Sequence, residues 1–464
     1  MNGYSASRKL RCLPALLIIL LSLACLSVPA HPSATDQPAD TPESAPTPTR
    51  ARTPLAPTPL ESSSFAYVMG NQLLPPPDLP MPAKGTAFAD PRFHTPLVRV
   101  TDKKSDGYID PGIQNEYSKV DPENKDGTLL ILRGNSAAFY LYDALTFQPL
   151  RQLTIFDACE YAEPEPRWDA SDPLLFYYSC GATLRAYHTG TGEVKILHDF
   201  KKDFSKAAVI TTGSEGDASL DRRYFCYMVK DSNYALLAVI TYDRIAQKIL
   251  GKKTSGFPDS LNWVGMSMSG SRCLVGYEDV AMYTDAYNRE MNAFVRLPEG
   301  SAGHGDAAQT ASGRDVYVYQ NVRTDWIAMA DLETGMETPL VRIPFDTNPD
   351  IGLHISGNCA QPTGWVLVST YGAKTPPEGK SHSWMDNALF MLELKANGRI
   401  WRVAHTQAYT GRTPAEKNYY AEAFAAITTR GTRVYWGSNW SDFREDYSEA
   451  YAAILPVNWG AKIP

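Results

Sequence analysis

Apolar and polar positions alternate in short runs along most of the chain, a period of two that predicts β-strands. The runs come in sets. Each set opens on a polar residue and a short strand, turns through Ser, Asp or Gly, and continues into a longer apolar strand. The clearest copy is His304-Gly-Asp306-Ala-Ala-Gln-Thr-Ala-Ser-Gly313, which runs into Arg314-Asp-Val-Tyr-Val-Tyr319. Glu422 to Gly431 leads into Thr-Arg-Val-Tyr-Trp436, and Trp263 to Gly270 into Ser-Arg-Cys-Leu-Val275. Glu215-Gly-Asp217 to Asp221 leads into Arg-Arg-Tyr-Phe-Cys226, and Glu165-Pro-Arg167 to Asp172 into Pro-Leu-Leu-Phe-Tyr-Tyr178. Tyr117-Ser-Lys-Val-Asp121 reaches Thr-Leu-Leu-Ile-Leu132, and His354-Ile-Ser-Gly-Asn358 reaches Trp-Val-Leu-Val368. These are seven copies, most of them about 40 to 50 residues apart, a spacing that predicts the blades of a β-propeller. The expected fold is therefore all-β, a seven-bladed propeller over 63–464.

A second repeat supports the first. Asp331-Leu-Glu-Thr-Gly335 lies between two predicted strands, and partial copies stand at Asp143 and Thr189. Asp or Thr bonds the local backbone there, and Gly supplies the positive φ of a tight hairpin. Tyr117 to Val120 reads as the inner strand of the first blade. A strand over 95–101 is placed to complete the last one, with Pro96 tolerated near a strand start. The connections 372–387 and 406–417 are long, as functional loops often are.

Upstream of the blades the pattern changes. Arg8, Lys9 and Arg11 precede an apolar run from Leu13 to Leu26, too short for a spanning helix and suited to a signal-peptide core over 1–30. Cleavage after Ala30, lipidation at Cys25 and retention as an anchor stay open, and all three export the chain to the periplasm, the outer membrane or the exterior. Residues 31–62 are rich in Pro, Thr, Ala and Ser and read as a disordered linker. The 464 residues carry a net charge of -7 with no dominant basic run, which argues against nucleic acid as a partner. Beyond Cys12 and Cys25 of the leader, Cys159, Cys180, Cys226, Cys273 and Cys359 form an odd set without a CxxC pair, so a zinc-type site is not expected. Cys159 and Cys180 flank one blade start and could bridge. The preferred reading is that both are buried small hydrophobes.

In a propeller the residues that open the inner strands converge on one mouth of the central channel. Here they are Tyr117 (with Glu116), Glu165, Glu215, Asn262 or Trp263, His304, His354 and Glu422. Two His in adjacent blades and three Glu could ligate a divalent metal or supply a general base. The blander reading is that the acids pair with Arg167 or, like Asp217 and Asp306 in their shared Gly-Asp-Ala context, bond backbone amides. No Gly-x-Ser-x-Gly elbow is present, which disfavours a serine hydrolase of that kind.

Asn115-Glu-Tyr-Ser118, Glu165-Pro-Arg-Trp168, His304-Gly-Asp306, His354-Ile-Ser-Gly-Asn358 and the stretch 422–439 carry a family resemblance. Over roughly 90–460 the chain resembles TolB-like and WD40-like propellers, and within them the oligogalacturonate-lyase and ulvan-lyase type of polysaccharide lyase. That family often has a His shortly after the acid of the last blade, where this chain has Phe424. A His, Tyr and Arg site therefore fits better than a three-His metal site. The resemblance implies β-elimination on an acidic polysaccharide or oligosaccharide. His304 or His354 would be the base, Tyr117 the acid and Arg167 the neutraliser of the uronate carboxylate. Glu165, Glu215, Asp217, Asp306, Asn358 and Glu422 would contact substrate. The alternative is a non-catalytic envelope propeller that binds a protein or glycan at its mouth. In either case a monomer is expected.

Overall fold

The computed structural model describes residues 65–160, 163–278, 282–411, 418–444 and 446–464. The leader and linker expected over 1–30 and 31–62 lie outside the described residues. The chain folds into antiparallel meanders of short strands, in all-β fashion. Among the described residues no helix is long and apolar enough to cross a membrane.

Four meanders are separate four-stranded sheets. They begin at the inner strands Arg167–Trp168, Val209–Thr211, Leu261–Met266 and Gly305–Gln309. A fifth begins at Gly352–Ser356 and gains Val68–Met69 as an extra outer strand. A nine-stranded sheet joins the first and last parts of the repeat. In it, Pro96–Arg99 pairs antiparallel with Glu449–Ile454, so an N-terminal strand completes the C-terminal meander. A single parallel bridge from Glu449 to Ile113 then leads into the meander of Ile113–Gln114 and Leu129–Gly134. This arrangement is consistent with a β-propeller.

The alternation explains the packing. Strands with apolar side chains on both faces must be covered on both faces. Among the described residues the core falls into seven clusters; six draw on meanders consecutive in the chain and one on the last and the first. Phe225 and Tyr227 meet Tyr177 and Leu184, for example, and Val98 and Ala452 meet Leu130 and Tyr140. The second contact joins the end of the chain to its beginning.

The repeat is visible atom by atom. In five meanders the turn between the first and second strands is pinned by one polar side chain, which accepts the amide at the start of the second strand. Asn124 takes Leu129 N, Ser219 takes Tyr224 N, Ser267 takes Arg272 N, Thr310 takes Arg314 N and Thr428 takes Arg433 N. At the hairpins between third and fourth strands, Asp143, Asp243 and Asp331 each accept two amides in an Asx turn.

Two sequence expectations are corrected. The inner strand of the first meander is Ile113–Gln114, and Tyr117 to Val120 is a turn rather than a strand. Pro122 lacks the N–H that a continuing ladder would need, and its carbonyl instead accepts from Ile131 N and Trp168 Nε1. The cysteines are not lone hydrophobes. Cys159 is bonded to Cys180 and Cys226 to Cys273, and Cys359 is a buried free thiol. Each pair comes from neighbouring segments of the fold, with Cα atoms 4.5 and 5.7 Å apart, within the span a disulfide bridges.

Two buried carboxylates tie the ends of the repeat together. Glu123 accepts from Arg433 Nη1 at 2.6 Å, Arg430 Nη2 at 2.8 Å and Tyr435 Oη at 2.5 Å. Glu449 accepts from Thr101 Oγ1, Arg99 and Lys103 N. Upstream, the Pro-rich segment lies extended. Its carbonyls at Gln72, Leu74, Pro77 and Leu79 take donors from Arg402, His405, Gln407 and Trp440. Side chains of the sheet thereby satisfy a backbone that has no ladder of its own.

Candidate active site

His304 immediately precedes the inner strand Gly305–Gln309, and His354 sits in the middle of the next one, Gly352–Ser356. The neighbouring meanders bring the rings together, 4.4 Å between centroids and 21° from parallel. Each ring is oriented by a backbone carbonyl at Nδ1: Leu353 O for His304, and Glu422 O at 3.2 Å for His354. A carbonyl can only accept, so each Nδ1 carries the proton and each Nε2 keeps its lone pair. Burial holds the pKa of His304 below the usual imidazole value, against the opposing pull of its carbonyl partner and Glu215. Burial sends His354 lower still, and His304 and Lys119 add to the effect. Two neutral imidazoles with free Nε2 atoms are what a general base requires.

Tyr117 stands against this pair. Its ring lies 5.4 Å from His354, edge-on, and 5.3 Å from Phe424. Burial, with Glu215 nearby, keeps its hydroxyl protonated far above the ordinary tyrosine range. A phenol held neutral keeps its O–H as a hydrogen-bond donor. Tyr371 stacks on the other face of His354 at 5.4 Å and hydrogen-bonds Glu422. So His304, His354, Tyr117 and Glu422 share one mouth.

Glu215 is part-exposed there and meets Lys119 Nζ at 3.4 Å. Lys119 is buried, with its ammonium 4.3 Å from the Trp263 ring centroid and 5.9 Å from that of Tyr117. Lys119 and Tyr371 were not singled out from sequence. A signal for Lys119 existed, since it stands two positions after Tyr117.

The remaining candidates are turned inward. Arg167 donates to both carboxylate oxygens of Glu116 at 3.1 Å, pairs through Nε with Asp217 at 3.0 Å, and donates to Gly216 O at 2.8 Å. Burial pushes Glu116 up to about 7 even beside that guanidinium, because Glu163 and Glu165 crowd it with like charge. Glu165 accepts from Thr211 Oγ1 and from the amides of Thr212 and Ser214, which fastens one meander to the next. Asp217 accepts from Ala218 N and Arg222, and Asp306 from Ala307 N and Gly357 N. Burial pushes Asp306 up to about 7. Asn358 donates to Ser356 Oγ at 3.4 Å. These groups hold the mouth together.

At the opposite end of the inner strands a cavity of about 450 Å³ is lined by the turns that follow them, including Asp121, Asp169, Arg222, Met268, Gln361 and Arg430. Its main charges are paired internally, Arg430 with Glu123 and Arg222 with Asp217. His304, His354 and Tyr117 do not line it.

No family model matches the chain, and no curated protein matches it. Among solved structures it is similar to an oligogalacturonate lyase in complex with manganese, with a TM-score of 0.54 and 16% identity. The match covers 81% of this chain and 97% of that one. At that identity the likeness is one of fold, and it agrees with a propeller-like arrangement of the meanders. The donor set here does not fit a metal of that kind. Among the described residues no group of three or more His, Cys, Asp or Glu side chains is arranged to hold an ion. Beside His354, where a third imidazole would be useful, Phe424 packs at 4.6 Å and offers no lone pair.

Proposed function

We propose that the meanders are seven blades of one exported, monomeric propeller, and that its mouth cleaves a uronate-containing polysaccharide by β-elimination. The observation that carries this reading is the contact of His304, His354 and Tyr117, with neutral imidazoles on one side and a protonated phenol on the other. The Nε2 of His354 or His304 takes the proton from the carbon α to the uronate carboxylate. The electron pair forms the double bond to the β-carbon, and the bond from that carbon to the glycosidic oxygen breaks. Tyr117 gives its proton to the departing oxygen. The products are a new chain end and an unsaturated uronate, so atoms and charge balance once water restores the two side chains.

A non-catalytic binding role is the second reading. Glu165, Asp217 and Asp306, whose acceptors are taken by internal donors, favour it. The test is ultraviolet detection of unsaturated uronate from pectate, ulvan, alginate and glycosaminoglycans. Product formation that disappears in both His304→Ala and His354→Ala supports elimination. Binding without product on this panel moves the protein to the second reading.

A further inference from the structure

Elimination needs a cation at the substrate carboxylate, since the α-proton is acidic only when that charge is neutralised. Arg167, the neutraliser expected from sequence, has its donors spread over Glu116, Asp217 and Gly216 O. Arg222 is spread over Asp217, Trp168 O and Ala218 O, and Arg133 is paired with Glu163. Among the described residues the metal alternative lacks a third ligand. Lys119 differs from all of these. Its ammonium has three donors and, among the described residues, makes one hydrogen bond, a long one of 3.4 Å, to Glu215. It sits over the Trp263 ring and near that of Tyr117, which itself touches His354. The aromatic faces hold a cation in place without consuming its donors.

Resting on the reading above, we propose that Lys119 is the group that binds and neutralises the uronate carboxylate, and that it does so without a metal ion. Glu215 serves as its counter-ion in the empty mouth, and the substrate carboxylate takes that place on binding. Burial is the main cause of the depressed pKa values of both histidines, and Lys119 adds to it.

The experiment measures calorimetric binding of a polyuronate oligosaccharide and of its neutral methyl ester. It uses the full chain with chelator present, as wild type, K119M and K119R, and follows unsaturated product in parallel. A charge-assisted contact predicts that wild type prefers the acid over the ester by about ten- to a hundredfold. K119M should lose the preference while keeping ester affinity, and K119R should retain much of it. A merely structural lysine would weaken acid and ester alike. Preference that survives K119M, that appears only on adding Mn2+, or that is missing in wild type overturns the assignment to Lys119. The two proposals fail separately. Lys119-dependent preference without product sinks elimination alone, and turnover in K119M equal to wild type sinks the lysine alone.

Discussion

Glu123 offers a sharp test of how the repeat is closed. Its carboxylate is 1% exposed and accepts three donors from the last meander: Arg433, Arg430 and Tyr435. Glu123→Gln keeps the shape and removes the charge. It leaves the Arg433 guanidinium, 7% exposed, with Gly127 O as its other acceptor. Uncompensated charge at a buried pair costs about 3–5 kcal/mol. As a control, Arg342→Met breaks the exposed pair with Asp346, whose side chains are 57% and 78% exposed, and should cost at most about 0.5 kcal/mol. The assay is urea unfolding followed by tryptophan fluorescence, with each variant compared by midpoint and slope. The double variant E123Q/R433M should recover part of the loss, because the two changes share one interaction. A loss below about 1 kcal/mol for E123Q, or strict additivity in the double variant, would refute the view that this carboxylate latches the last meander to the first.

Three further outcomes follow from the same geometry. Burial holds the pKa of His304 and His354 below the ordinary imidazole value, and the base works only when neutral. The acid limb of kcat/KM should therefore fall below pH about 6.5; a limb at or above that value contradicts a buried neutral base. Arg167→Met should lower stability by about 3–5 kcal/mol, since it strands Glu116 in the interior and takes from Asp217 one of its two guanidinium partners. Unchanged stability with loss of the acid preference would instead make Arg167 the substrate cation. Peptide mapping of unreduced protein should find Cys159 joined to Cys180 and Cys226 to Cys273, with Cys359 alkylated only after unfolding. Free thiols or crossed pairs under oxidising conditions would count against the packing described.

Much of the architecture was legible because the period of two, and the polar residue that pins most first turns, recur with little variation. Ser267, Thr310 and Thr428 do the same job at matched places, and a repeat of that kind survives without long-range information. The histidines were legible for the same reason, as matched openings of adjacent units. What escaped was decided across the fold. Arg167 reads in sequence either as a substrate cation or as a partner of the acids, and only the approach of Glu116 and Asp217 from neighbouring meanders shows its donors to be taken. The disulfides depend on Cα separations that no spacing reveals. Tyr117 to Val120 has the alternation of a strand, but Pro122 and the needs of the turn prevail. That turn brings Lys119 over Trp263, a residue 144 positions away in the chain by subtraction of their numbers.

The central claim is that His304, His354 and Tyr117 act together on a uronate chain. The most direct measurement is the initial rate of unsaturated-uronate formation by the full chain, for wild type, H304A, H354A and Tyr117→Phe, on the polyuronate that wild type cleaves fastest. A positioned acid or base contributes about 10²- to 10⁴-fold. The account predicts a loss of that size in Tyr117→Phe and in at least one histidine variant, with oligosaccharide affinity largely kept. Wild-type rates in both histidine variants, or a wild type that binds polyuronate and never releases unsaturated product, would contradict it.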